Sequence, residues 1–144
     1  MTRKAGTTKT RKAKGRRLQQ YVAKRLIEVA RANPDDVKVA IMGETGPDVT
    51  YLSYCVECTN SEKINIWKKV EQCERNTEIY QQGKPFRALP ITVIKKNNSR
   101  AYAVVDFEVL LATLVMAAEG QALSQALIRE QLDEMTVHGK GGSA

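Results

Sequence analysis

The sequence predicts an α/β domain: a central mixed β-sheet with helices against it and a helical C-terminal extension. Apolar residues recur at helical spacing over 18–32, 64–82 and 106–137, and β-type runs fill the intervals. Breaks such as Asn33-Pro34 and Gly83-Lys84-Pro85 separate them. No linker is long enough to divide the 144 residues, a length suited to one domain with a core rather than two.

In chain order, Leu18, Tyr21, Val22, Leu26, Val29 and Ala30 form one apolar stripe, and Lys24, Arg25, Glu28 and Arg31 lie opposite, so 18–32 is a helix ended by Asn33-Pro34. Residues 37–42 are a strand, broken by Gly43-Glu44-Thr45-Gly46-Pro47. Residues 49–52 and 54–59 read as a hairpin around Ser53. Residues 64–82 return to helical spacing, with Ile66, Trp67, Val70, Cys73 and Tyr80 near one side. Here Trp67 is read as core packing rather than as a base-stacking surface. Strands at 91–94 and 101–105 flank a polar turn, and two helices follow, over 106–118 and 120–137. The domain plan is a basic flexible arm 1–14, a domain 15–118, a helix 119–138 for packing or dimerisation, and a disordered tail 139–144.

Charge is distributed unevenly. The net charge is +7, yet residues 1–25 carry ten Lys or Arg and no acid, leaving 13 basic against 16 acidic residues elsewhere. Up to Lys14 the arm has only small, polar and basic side chains, so it is expected to be mobile when free. Basic residues so concentrated suit a polyanion, because each Lys or Arg beside a phosphate releases condensed counterions; a solubilising tail is the plain alternative. Residues 1–17 lack the apolar stretch of a secretory signal. No apolar run approaches the ~18 residues of a membrane span, so a cytoplasmic protein with no membrane partner is expected. Cys55, Cys58 and Cys73 are an odd set without zinc-site spacing and are read as small buried hydrophobes. His138, the only histidine, sits in a tail-like stretch, which leaves no Cys–His or Ser–His nucleophile.

One constellation carries chemistry. Asp48 follows Gly46-Pro47, and Glu57 lies nine residues on, in Val56-Glu57-Cys58-Thr59. A hairpin register that pairs Asp48 with Glu57 puts both carboxylates on one face, with Thr59 beside them and Cys58 turned towards the core. Two carboxylates with a backbone carbonyl make a hard-oxygen site for Mg²⁺ or Mn²⁺, ions that polarise phosphoryl oxygens and acidify water. The alternative is an exposed hairpin with solvated acids.

Pro47-Asp48 followed by Glu57-Cys58-Thr59 resembles the PD-(D/E)-x-K metal-dependent nuclease motif. Its flanks resemble the Holliday-junction-resolvase-like branch of archaea and bacteriophages: Lys14-Gly15-Arg16-Arg17-Leu18-Gln19, Gly43-Glu44-Thr45-Gly46, Ile64-Asn65-Ile66-Trp67 and Tyr102-Ala103-Val104-Val105-Asp106-Phe107. The likeness spans roughly residues 12–112 and implies a restriction-endonuclease-like core. It implies Asp48, Glu57 and the Cys58 carbonyl as ligands of Mg²⁺ or Mn²⁺, and hydrolysis of phosphodiesters in four-way-junction or other branched DNA. Arg11, Lys12, Lys14, Arg16, Arg17, Lys63 and Lys68 would hold the DNA, and Glu44 and Gln72 would stand behind the ligands. A junction has two symmetric strands to cut, so a homodimer is expected, within a bacterial host's cytoplasm if the chain is phage-encoded.

Two positions depart from the pattern. An acid on the family's first helix falls on Gln19, an amide, and the motif lysine falls on Thr59. Losing one preorganised electrostatic stabiliser costs roughly 10²–10³ in rate, so impaired catalysis is expected. Three explanations are open: a substitution made to trap a DNA complex, a natural binder that no longer cuts, or another cation, such as Lys38, Lys63 or Lys68, filling the space. Lys95, Lys96 and Arg100 on the late turn are further candidates to grip phosphate, or plain solvated charges. The alternatives to junction cleavage are a sequence-selective endonuclease of homing or restriction type, an inactive DNA-binding protein on the same fold, and an arm that binds RNA or protein. The few aromatics argue against a stacking-based single-strand binder.

Overall fold

The structure, a computed structural model, describes residues 7–41 and 44–139. The first six residues of the expected arm, Met42-Gly43 and the tail beyond 139 lie outside them. The order is α1 (Thr8–Glu28), a 3₁₀ turn (Pro34–Asp36), β1 (Val37–Val39), β2 (Val49–Tyr51), β3 (Tyr54–Asn60), α2 (Ile66–Gln81), β4 (Leu89–Lys95), β5 (Tyr102–Val105) and α3 (Phe107–Gly139). The five strands form one mixed sheet in sequence order, with β3 and β4 parallel and the other neighbours antiparallel. The expected α/β class, with helices flanking a mixed sheet and a helix at the C-terminus, is the observed one.

Local chemistry sets the boundaries. α1 starts ten residues earlier than the apolar stripe predicts. Thr7 caps it by accepting the Thr10 backbone N–H, and Lys, Arg, Ala and Gln are strong helix formers. Residues 8–14, expected to be a flexible arm, are therefore helical, and α1 ends at Glu28 rather than at 32. Asn65 caps α2 by accepting the Lys68 N–H, and Gly83, at φ 73°, supplies the left-handed backbone just past its end. The β2–β3 hairpin turns on Leu52-Ser53, with Leu52 at φ 51°.

The parallel β3–β4 step needs a crossover, and α2 provides it. Cys73 of α2 directs its Sγ at the carbonyls of Cys55 and Ile91, and Thr77 is buried beside it. The other face packs on α1: Val49, completely buried, and Val56 meet Ala23, with Val22, Leu26, Cys58, Ile91 and Val93 around them. Period-2 alternation thus sends Val56 and Cys58 towards α1, and Cys55, Glu57 and Thr59 towards α2.

Trp67 departs from its expected core position. It is 78% exposed, and Ile66 is exposed as well, because the buried stripe of α2 runs through Cys73 and Thr77. All three cysteines are free thiols.

The chain divides into two units, residues 1–106 and 107–144, rather than at residue 118. Within the second unit, Phe107–Gly139 is one continuous helix with no break at Gly120. Leu114, Leu123, Leu127, Ile128, Leu132 and Met135 are among its exposed apolar residues. Against the expectation of no such run, Phe107–Val137 is by length and composition apolar enough to cross a bilayer, although it carries Glu108, Glu119, Arg129, Glu130, Asp133 and Glu134.

Candidate metal and phosphate site

The hairpin register builds the acidic pair. Val49 pairs with Val56 and Thr50 with Cys55, so the same register places Asp48 opposite Glu57. Both side chains lie on the α2 face. The Asp48 backbone carbonyl accepts the Ala40 N–H at 2.8 Å, and Asp48 Oδ2 accepts the Cys58 N–H at 2.8 Å, which fixes the carboxylate against β3. The N–H and C=O of one strand residue point to the same side. The Cys58 carbonyl therefore faces the edge that holds Asp48, beyond the end of β2, and its thiol packs into the α1-side core.

Glu57 is 5% exposed, an unusual position for a carboxylate. Burial pushes its pKa up to about 7, and the neighbouring Asp48 carboxylate adds to the rise; the Asn76 amide and the Lys69 charge oppose it. Asn76 Nδ2 donates to Glu57 Oε1. Lys69 Nζ donates to Gln72 Oε1 at 3.3 Å. Lys69, Gln72 and Asn76 recur at i, i+3 and i+7, so one stripe of α2 lies over the acids.

Asp48, Glu57, Cys58 and Gln72 thus occupy the neighbourhood that the sequence predicts. Thr59 shares the face of Glu57, and it pairs with Ile94 of β4. The others sit elsewhere. Gln19 is half-buried on α1, the helix that covers the opposite face, so its amide is not brought beside the carboxylates. Glu44 folds back on its own loop, where its Oε2 accepts the Ile41 N–H at 3.1 Å. Lys38 is exposed on β1, and Lys63 and Lys68 are exposed near the start of α2. The cation whose charge reaches Glu57 is instead Lys69. Asn76 and Lys69 were not singled out from the sequence; the signal was their helical spacing around Cys73.

Among the described residues, no group of three or more His, Cys, Asp or Glu side chains converges as a metal site. Mg²⁺ needs fewer: it keeps several waters and takes one or two carboxylates. Two adjacent carboxylates, one with a raised pKa, and a carbonyl without a strand partner fit that donor set.

Basic residues gather beyond the end of β3. Lys14 and Arg17 of α1 face Lys95 and Arg100 across a groove of about 1070 Å³. Asn60 lines it too, and its buried Oδ1 has no hydrogen-bond partner. Arg11, Lys12 and Arg16 are exposed on α1. No protein-family model matches this chain, and no curated protein and no solved structure is significantly similar to it.

Proposed function

We propose that this chain is a metal-dependent endodeoxyribonuclease on a restriction-endonuclease-like core, acting on four-way or otherwise branched DNA. The Asp48–Glu57 pair, with Glu57 buried, Asp48 half-buried and the Cys58 carbonyl beside them, is the observation that carries the reading. Two carboxylates so close, one of them poorly solvated, favour a cation between them. Mg²⁺ or Mn²⁺ held there would polarise the scissile phosphate and activate the attacking water. The residues supply the rest: Asp48 Oδ2 is pre-aimed by the Cys58 N–H, and Asn76 fixes the rotamer of Glu57. Lys69, placed by Gln72, provides the positive charge that Thr59 lacks. Lys14, Arg17, Lys95 and Arg100 would hold flanking phosphates and so set position rather than sequence. α3 supports a homodimer, since its apolar residues need a cover and a junction needs two cutting sites.

The absence of a lysine at Thr59 supports a second reading, a DNA-binding protein on the same fold that does not cut. Cleavage of a four-way junction and of a matched linear duplex, in Mg²⁺ and in Mn²⁺, separates the two. The wild-type chain should cut the junction slowly, Thr59→Lys should cut roughly 10²–10³-fold faster, and Lys69→Gln should lose a similar factor. DNA binding without cleavage by any of the three would leave the binding role alone.

A further inference from the structure

The only tryptophan of the chain stands at the mouth of a second groove, and this rests on the nucleic-acid reading above. Trp67, in the first turn of α2, is 78% exposed, and Tyr102 of β5 is 62% exposed. Both line a groove of about 1080 Å³ together with Lys63, Lys95 and Lys96. Its volume is at the upper end of small-ligand sites, roughly 300–1,000 Å³. Glu62 is the one acid on its wall, and its Oε1 is committed to the Asn97 backbone N–H at 3.0 Å. The lining thus joins two exposed aromatics and three lysines to Ile64, Ile66 and Ile94, and aromatic faces beside cations suit a base with its phosphates.

Its place in the sheet adds a second argument. Tyr102 pairs with Ile94, and Ile94 with Thr59, so the groove opens on the face that carries Glu57. At the ordinary strand spacing Tyr102 stands about 10 Å from Thr59. Lys95 and Ser99 line this groove and the one holding Lys14, Arg17 and Arg100, so one row of phosphate-binding groups runs past both. A paired base presents its flat face to its neighbours in the stack and not to a protein side chain, whereas an unpaired one is free to stack.

We propose that this groove receives an unpaired nucleotide of a DNA strand, its base against the Trp67 indole and its phosphates against Lys63, Lys95 and Lys96. One exposed indole holds one base, not a run of them, so the site serves a branch point or a frayed end near the carboxylates. A fully paired duplex has nothing to place in it.

Because Trp67 is the sole tryptophan, its fluorescence reports on this groove alone. The full chain would be titrated with a short oligothymidylate, with an abasic oligomer carrying the same phosphates, and with a blunt duplex. Quenching is expected from the oligothymidylate only. Trp67→Ala and Tyr102→Ala, both exposed and so compatible with folding, should weaken oligothymidylate binding by roughly 5- to 150-fold and leave duplex binding unchanged. Equal quenching by the abasic oligomer, or none by either, overturns the proposal. So does a signal that follows protein concentration alone, which would assign the groove to a second copy of the chain. Cleavage of a fully paired substrate is read separately: its presence without quenching removes the groove and keeps the nuclease, and quenching without any cleavage does the reverse.

Discussion

The two faces of the sheet are built from alternate residues of the same strands and do opposite things. Towards α1, Val49, Val56 and Ala23 close into an apolar core with no charge in it. Towards α2, one residue along, Glu57 is equally inaccessible but sits beside a second carboxylate, an amide and a lysine. The first face gains free energy from burial, about 25 cal/mol per Å² of apolar surface. The second loses it, since a buried carboxylate is costly unless paired or protonated. An arrangement kept at a cost to stability is where function is sought.

Substitutions on each face should therefore move different observables. The largest effect is expected from Asp48→Asn or Glu57→Gln: junction cleavage and Mg²⁺ binding by calorimetry should fall by roughly 10²–10³ or more. Glu57→Gln should leave the metal-free fold as stable or make it more so. Retained metal affinity in either variant would dissolve the contrast between the faces.

Next is the pH dependence of the metal-free chain. The pKa of Glu57 is raised to about 7 in the folded state. Its contribution is thus fully present below the unfolded-state value of roughly 4.3 and is lost as pH rises through about 7. Urea denaturation at pH 4.5 and at pH 8 should differ by on the order of 3 kcal/mol from this group, with the folded state weaker at the higher pH. The Glu57→Gln variant should lack that difference, and Mg²⁺ should offset it in the wild type. The smallest effect belongs to the other face: Val49→Ala, which opens a cavity at a completely buried position, should cost about 2 kcal/mol of stability. It should leave metal affinity unchanged.

What the sequence made legible was the geometry fixed locally. Strand alternation and a tight turn near Ser53 were enough to pair Asp48 with Glu57, because the hairpin register follows from turn length. What it hid depends on how α2 is rotated about its axis. Trp67 reads as core by hydrophobicity, yet the stripe through Cys73 and Thr77 faces the sheet, which turns Trp67 outwards and brings Lys69 and Asn76 over the acids. The helical character of residues 8–14 was hidden for another reason: the apolar stripe marks where a helix packs, and a capped run of good helix formers continues beyond it. Where Gln19 lies was not legible either, because which face α1 covers is a property of the assembled sheet.

Where the cysteine side chains point bears on the metal proposed for the acidic pair. Burial is the main cause that raises Cys55 to about 11 and holds Cys58 and Cys73 above the ordinary thiol range, and the nearby carboxylates push the same way. The Cys58 sulfur packs into the α1-side core while the carboxylates lie on the α2 face, so strand alternation turns it away from them. A metal held at the pair, as proposed above, would meet the Cys58 backbone oxygen and not its sulfur. The donor set proposed for it is then oxygen, which suits Mg²⁺ or Mn²⁺ better than a metal that prefers thiolate.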